Sequence, residues 1–208
     1  YFHYAYCGAA SAPIYYRRGT PNADGTITWS ADEQTAVAAV SGVTYEAPVV
    51  TADSSGYPFI TYRQSSPVGI YVTKSSTNDG TWATETGFPF QLSSSTTYYG
   101  HDVIPLTNNK VFAFYGGTAT PIYGRLWNGS SWENEETCTV TSAVDPRAHS
   151  AVNQGDDIQL VILSSTANII HRKRTYGVGW GSETIVQSAL VATSKPVLGI
   201  STATNEMI

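Results

Sequence analysis

Apolar and polar positions along the chain alternate in many short runs, and no stretch longer than about ten residues shows the 3.6-residue apolar period of a helix. The runs fall into matched sets. One set reads Ile14-Tyr15-Tyr16-Arg17-Arg18, Ile70-Tyr71-Val72-Thr73-Lys74, Ile122-Tyr123-Gly124-Arg125-Leu126 and Ile169-Ile170-His171-Arg172-Lys173. A second set precedes it, at FHYAY from residue 2, PFITYR from 58, KVFAFY from 110 and IQLVIL from 158. A third leads three of these pairs, at APVVTAD from 47, HDVIPLT from 101 and HSAVNQG from 149. Turns rich in Asp, Asn, Ser and Gly separate the runs, as hairpin connections require.

Four tryptophans, Trp29, Trp82, Trp132 and Trp180, recur 53, 50 and 48 residues apart, each after a polar turn that follows a β-rich run. The pattern predicts an all-β chain of four repeats, each of four short antiparallel strands. A unit of that kind recurring about every 50 residues is a β-propeller blade. The near-constant tryptophan spacing argues against a two-sheet sandwich, whose strands also recur at short intervals. The expected blades are 1–44, 45–97, 98–144 and 145–194, within one propeller domain over 1–208. The chain ends with an innermost-type strand from Lys195, and it begins at the second strand of a blade. Residues 195–208 are therefore expected to complete the first blade, in a closed four-bladed ring or in part of a six-bladed one.

Composition narrows the class. Charged residues are 13% of the chain, about half the usual share, hydrophobic residues are 41%, and the net charge is -5. That balance fits an extracellular all-β protein and predicts no nucleic-acid partner, since phosphate binding rests on clustered Lys and Arg. The short basic run His171-Arg172-Lys173-Arg174 does not change this. No run approaches the roughly 18 apolar residues of a membrane span. Cys7 and Cys138 show no metal-ligand spacing, and nothing marks a cofactor or metal site. They fall in blades that are not neighbours, so both are expected as free thiols.

The turns that precede the tryptophans carry a resemblance. NADGTITW at 22–29 keeps Asp24, Thr28 and Trp29 of the Asp box Ser-x-Asp-x-Gly-x-Thr-Trp, and SSTNDGTW at 75–82 keeps Ser75, Thr81 and Trp82. The last two repeats keep Gly129 with Trp132 and Gly177 with Trp180. In this the chain resembles the sialidase-like propellers with their bacterial-neuraminidase repeats. Fungal fucose lectins also have blades of this size with a Trp after an Asn-Gly or Asp-Gly turn. The resemblance implies that the boxes are folding elements remote from any active site, with the Asp or Ser holding the turn and the indole packing between strands. Trp127 has no counterpart in the other repeats, which makes it a candidate surface contact for a sugar or a protein.

In a propeller the innermost strands converge, so a site is sought at their entries. These gather Glu46, Tyr99, His101, Asp102, Arg147, His149 and Lys195. Glu46 and Asp102 would serve as the two carboxylates of glycoside hydrolysis, with His101 and His149 beside them. The sialidase resemblance implies a Tyr activated by a Glu, for which Tyr99 and Glu46 are candidates, and a three-arginine clamp, of which only Arg147 and Arg63 are found. Arg147, Tyr99, Lys195 and Trp127 are candidate ligand-binding residues. The expected function is a non-catalytic extracellular module that binds a glycan or a cell-surface partner. A glycoside hydrolase or polysaccharide lyase, and a structural assembly domain, are the alternatives.

Overall fold

The computed structural model describes residues 1–117, 121–140, 144–190 and 196–199, with the backbone alone for 144–147. Among these residues there are only strands, turns and irregular segments, and no helix is long and apolar enough to cross a membrane. The strands are β1 (Phe2–Cys7), β2 (Ile14–Pro21), β3 (Ile27–Trp29), β4 (Gln34–Val37), β5 (Tyr45–Ala52), β6 (Pro58–Ser65), β7 (Val68–Lys74) and β8 (Phe90–Ser93). They continue as β9 (Tyr98–Pro105), β10 (Val111–Gly117), β11 (Ile122–Trp127), β12 (Glu136–Cys138), β13 (Val144–Gln154), β14 (Asp157–Ser164), β15 (Ile169–Thr175), β16 (Gly179–Trp180) and β17 (Thr184–Gln187).

Four antiparallel sheets result. The first is β1-β2-β3 with β4 also on β2, and the second is β5-β6-β7-β8. The third is β9-β10-β11-β12, and the fourth is β13-β14-β15-β16 with β17 also on β15. The eleven alternating runs of the three matched sets each fall on one of these strands, four of them overrunning its end by one or two residues. The innermost strands extend ahead of their alternating runs, beginning at Tyr45, Tyr98 and Val144. The register of β5 shifts between Glu46 and Val49, where Ala47 takes φ 48°, and that of β13 shifts between Val144 and His149. A bulge breaks the two-residue period, so alternation stops at the bulge although the strand does not.

The chain forms two compact units, residues 1–96 and 97–208, each with two sheets and its own core. In the first, Ile14, Tyr16 and Ala36 of the first sheet pack on Tyr45, Ile60 and Tyr62 of the second, with Trp82 against them. Trp82 meets Tyr16 edge to face at 5.0 Å. In the second, Phe112, Phe114, Ile122, Leu126 and Cys138 of the third sheet pack on Ile158, Leu160 and Ile162 of the fourth, with Trp180 against them. Trp180 lies 6.3 Å from Phe112 and 5.9 Å from Phe114. In both units, then, the tryptophan of one sheet rests on the aromatic side chains of the sheet before it, which is the packing role expected of these residues.

Side-chain acceptors hold the turns before three of the tryptophans. Asp24 accepts from the N–H and hydroxyl of Thr26 at 2.9 and 2.7 Å, and Asp79 from those of Thr81 at 3.0 and 2.6 Å. Asn128 accepts from the N–H groups of Ser130 and Ser131, both at 3.0 Å. Among the strand tyrosines, Tyr16 and Tyr62 are buried, while Tyr15, Tyr71, Tyr98 and Tyr123 are half-buried. Cys7 and Cys138 are free thiols. The expected inner strand from Lys195 is not seen at 196–199, which are irregular, and 191–195 and 200–208 lie outside the described residues.

Candidate functional site

The inner-strand residues fall in two units. In the first unit Glu46 faces Arg63 across the β5–β6 ladder and forms an ion pair with it at 2.7 Å, so this carboxylate is already engaged. In the second unit Asp102 and His149 meet, with Oδ2 and Nε2 3.6 Å apart, and His149 lies beside the Phe114 ring at 6.3 Å. His101 is buried on β9, and as the neighbour of Asp102 it points to the opposite face. Tyr99 is exposed. The Arg147 side chain and Lys195 lie outside the described residues. Among the described residues no three His, Cys, Asp or Glu side chains converge as cation ligands.

Trp127 is not the surface contact that its lack of a counterpart suggested. It is only 8% exposed and packs edge to face on Trp132 at 5.6 Å, so its ring offers no free face. The Asn128-Gly129 turn folds the two strands back on each other and brings the two indoles together, Trp127 pairing with Trp132 as an isolated bridge.

A different arrangement carries the polar chemistry. Between the third and fourth sheets of the second unit lies a cleft of about 730 Å³, lined by Glu133, Glu136, Arg172, Arg174, Tyr176 and Trp180 among others. Alternation along β15 turns Arg172 and Arg174 toward this cleft and sends Lys173 to the other face, where it pairs with Asp157 at 2.7 Å. The basic run at 171–174 is thus divided between two faces and is not a cationic patch.

Arg174 is 3% exposed and forks onto Glu136 of β12, its Nε donating to Oε2 at 2.7 Å and its Nη2 to Oε1. Its guanidinium also lies 4.6 Å over the Phe112 ring, a cation–π contact. Arg172 donates from Nη1 to the Thr139 carbonyl. Three buried donors at the cleft have no acceptor among the described residues: Arg172 Nε, Arg174 Nη1 and Trp180 Nε1. Buried donors are rarely left unmatched, because each one lost from water costs about 1–3 kcal/mol.

The loop that closes the cleft is tied down. Asp157 accepts from Lys173 and from the Tyr176 N–H at 2.9 Å, and these bonds, with that from Lys173 the stronger influence, hold its carboxyl below the usual carboxylate range. Lys110 binds Asp156 at 2.8 Å and lies 4.9 Å over the Tyr176 ring. Cys138, at the end of β12, is inert by comparison, burial pushing its thiol up to about 12.

Two repeated signals mark this chemistry in the sequence, and the tryptophan spacing alone does not bring them out. An Ile-x-x-Arg recurs at Arg17, Arg125 and Arg172, and a Trp-x-x-acid at Asp32, Glu85, Glu135 and Glu183. Members of the two series meet in the fold. Arg17 lies 4.0 Å from Asp32, and Lys74, next to the Thr73 that replaces the arginine, lies 3.4 Å from Glu85. Arg125 donates to the Tyr115 hydroxyl at 3.4 Å, and that hydroxyl donates to Glu135 at 2.6 Å.

No family model matches the chain, and no curated protein sequence matches it. Solved structures do. A lectin of Aleuria aurantia, described as a six-bladed β-propeller with a novel fucose recognition mode, superimposes with TM-score 0.61 at 16% identity over 92% of this chain. AofleA of Arthrobotrys oligospora does so with TM-score 0.57 at 11% identity over 94%. A GH43 β-1,3-galactosidase gives TM-score 0.50 at 13% identity over 89%. The chain spans 58%, 56% and 42% of the lengths of these three proteins. The fold is therefore all-β and corresponds to part of a β-propeller.

Proposed function

We propose that this chain is a carbohydrate-binding propeller module, and that the cleft between β11–β12 and β15–β16 is where it takes a neutral sugar. The observation that carries this is the set of unmatched buried donors on Arg172, Arg174 and Trp180 around a cleft that also presents the Glu136 carboxylate. A sugar hydroxyl both donates and accepts, so a ring with adjacent hydroxyls can satisfy a guanidinium and a carboxylate together. The exposed ring of Tyr176 at the rim supplies apolar surface for the C–H face of a pyranose. Two guanidinium groups stand against the two carboxylates of Glu133 and Glu136. This balance favours a neutral hexose or deoxyhexose over sialic or uronic acids, whose carboxylate wants an excess of positive charge.

The Aleuria aurantia lectin has been captured with α-methyl-L-fucoside and with Fucα1-6GlcNAc, which makes these the first ligands to try. Titration calorimetry with α-methyl-fucoside, methyl galactoside and sialic acid tests the proposal. Saturable binding of a neutral glycoside is expected, with a loss of at least about tenfold in Arg172→Ala, an effect of roughly 1.4 kcal/mol. Heat signals that never saturate with any neutral sugar, or binding that Arg172→Ala leaves intact, would refute it.

A further inference from the structure

The chemistry of the cleft in the second unit changes from one end to the other. Arg172, Arg174 and Tyr176 share one face of β15 and of the turn that follows it, and at about 3.3 Å per residue they span about 13 Å. At the Arg172 end the opposite wall is Thr137 and Thr139, whose carbonyl accepts from Arg172. In the middle Arg174 meets Glu136, which stands opposite Gly124, and Trp180 stands opposite Arg174. Leu126 lies two residues on from Gly124 along the same face, and its carbonyl accepts from the Glu133 N–H at 2.8 Å. Leu126 and Glu133 therefore wall the Tyr176 end. All three unmatched buried donors, Arg172 Nε, Arg174 Nη1 and Trp180 Nε1, belong to the other end and the middle.

The Tyr176 end offers apolar surface and one acceptor. Gly177 and Gly179 take φ 72° and 102°, where glycine carries no steric cost, and the sharp turn leaves Val178 84% exposed at its tip. The Tyr176 ring beside it is 44% exposed, and both residues line the cleft. The ring is held from two sides. Lys110, itself 6% exposed, lies 4.9 Å over it and is anchored by Asp156 at 2.8 Å, while Asp157 accepts from the Tyr176 N–H at 2.9 Å. Asp156 is fixed in turn by the N–H and hydroxyl of Thr107 at 2.8 and 2.6 Å. A ring fixed before its ligand arrives gives up little freedom on binding.

A pyranose built of bonds near 1.5 Å measures about 5–6 Å between opposite oxygens, so one ring that meets the three donors leaves Tyr176 and Val178 uncovered. The cleft volume of about 730 Å³ is likewise in the range that encloses ligands larger than one such ring. We infer that the ligand is a glycan of at least two units, and that the lip formed by Tyr176 and Val178 is a second subsite, for the sugar next to the one on the polar floor. This rests on the reading of that floor as a sugar site. A second pyranose fits the lip: its C–H face covers the Tyr176 ring and Val178, and its hydroxyls donate to Glu133, which a purely apolar aglycone cannot do. Lys110 is a positioning residue for this subsite, acting through the Tyr176 ring.

Titration calorimetry on the 208-residue chain tests the inference with two matched pairs, α-methyl-L-fucoside against Fucα1-6GlcNAc and methyl β-galactoside against lactose. In the pair whose methyl glycoside binds, the disaccharide is expected to bind about tenfold more tightly, as burial of an aromatic face and a valine gives. Val178→Ser and Tyr176→Ala are each expected to remove most of that gain and to leave the methyl glycoside within about twofold, since the two subsites share no partner. Lys110→Met should shrink the gain in the same selective way. Retained binding of the methyl glycoside shows that each variant is folded. The p-nitrophenyl glycoside of the same sugar is expected to gain less than the disaccharide. A methyl glycoside as tight as its disaccharide, a gain that survives both Val178→Ser and Tyr176→Ala, or an equal gain from the p-nitrophenyl glycoside overturns the second subsite and leaves the floor standing. No saturable binding in either pair overturns the floor and the subsite together.

Discussion

Replacing Glu136 by Gln probes the chemistry at the cleft most directly. The change keeps the shape of the side chain and removes its charge, leaving the Arg174 guanidinium, 3% exposed, without its carboxylate. Removing one partner of a fully buried ion pair costs about 3–5 kcal/mol, while exposed pairs are worth well under about 1 kcal/mol. The Glu136 side chain is 26% exposed and opens on the cleft, so water reaches one side of the pair. A loss of roughly 2 kcal/mol is therefore expected, tempered by the amide oxygen that still accepts one bond.

Urea unfolding measures this loss, and at a slope near 2 kcal/mol per molar the midpoint should fall by about 1 M. The companion variant Arg174→Met keeps an apolar stem over Phe112. In the double variant both charges are gone, and buried pairs replaced by apolar groups of similar volume are often neutral. Glu136→Gln/Arg174→Met should therefore be more stable than the sum of the single changes implies, with a coupling of about 1–2 kcal/mol. A midpoint for Glu136→Gln within about 0.1 M of the wild type, or additive single changes, would show that the bidentate geometry contributes nothing to folding.

Two further outcomes are expected. Gly124 stands where a Cβ would come within 2.2 Å of Phe112 Cε1 and 2.5 Å of its Cζ, in a ring that is wholly buried. Gly124→Ala should lower stability by about 1–3 kcal/mol in the same unfolding assay, and an unchanged midpoint would mean that the ring can shift. His3 is pushed down from 6.5 to about 4, first by burial, then by Arg18 and the chain's amino terminus. With the folded value below the unfolded one, protonation favours the unfolded chain. The contribution of His3 is complete above pH 6.5 and is lost as pH falls toward 4. Partial exposure reduces it to about 1 kcal/mol, which a His3→Asn variant should no longer lose between neutral and mildly acid pH.

The strands were legible in the sequence because each buries one face, and burial of one face writes a two-residue period into the chain. That period fails where a bulge places two residues against one, which is why alternation alone stops short of Tyr45, Tyr98 and Val144, although aligning the repeats still reaches the strand entries. The tryptophans were legible because their bed on the preceding sheet recurs at each junction in the described cores. The cleft was not. Glu136 and Arg174 belong to different repeats and meet through sheet-on-sheet packing, which no local pattern encodes. The series at Arg17, Arg125 and Arg172 does show in an alignment of the repeats, once charge is compared as well as indole. Trp127 misled because a residue absent from the other repeats is as readily a filler of local space as a contact.

Because Trp82 lies on Tyr16, and Trp180 on Phe112 and Phe114, the unit that folds is out of phase with the unit that repeats in the sequence. A segment cut at the sheet boundaries, from Tyr45 to Ser93, would keep an indole whose bed had been left behind. Duplicating or shuffling such segments would separate each tryptophan from the aromatic side chains it fits. Tyr16 at one junction and the Phe112–Phe114 pair at the other are different beds, so their tryptophans are not interchangeable. Paired changes between neighbouring repeats are the expected route of divergence at these two junctions, and a correlation in residue size at that offset is the mark they would leave in related sequences.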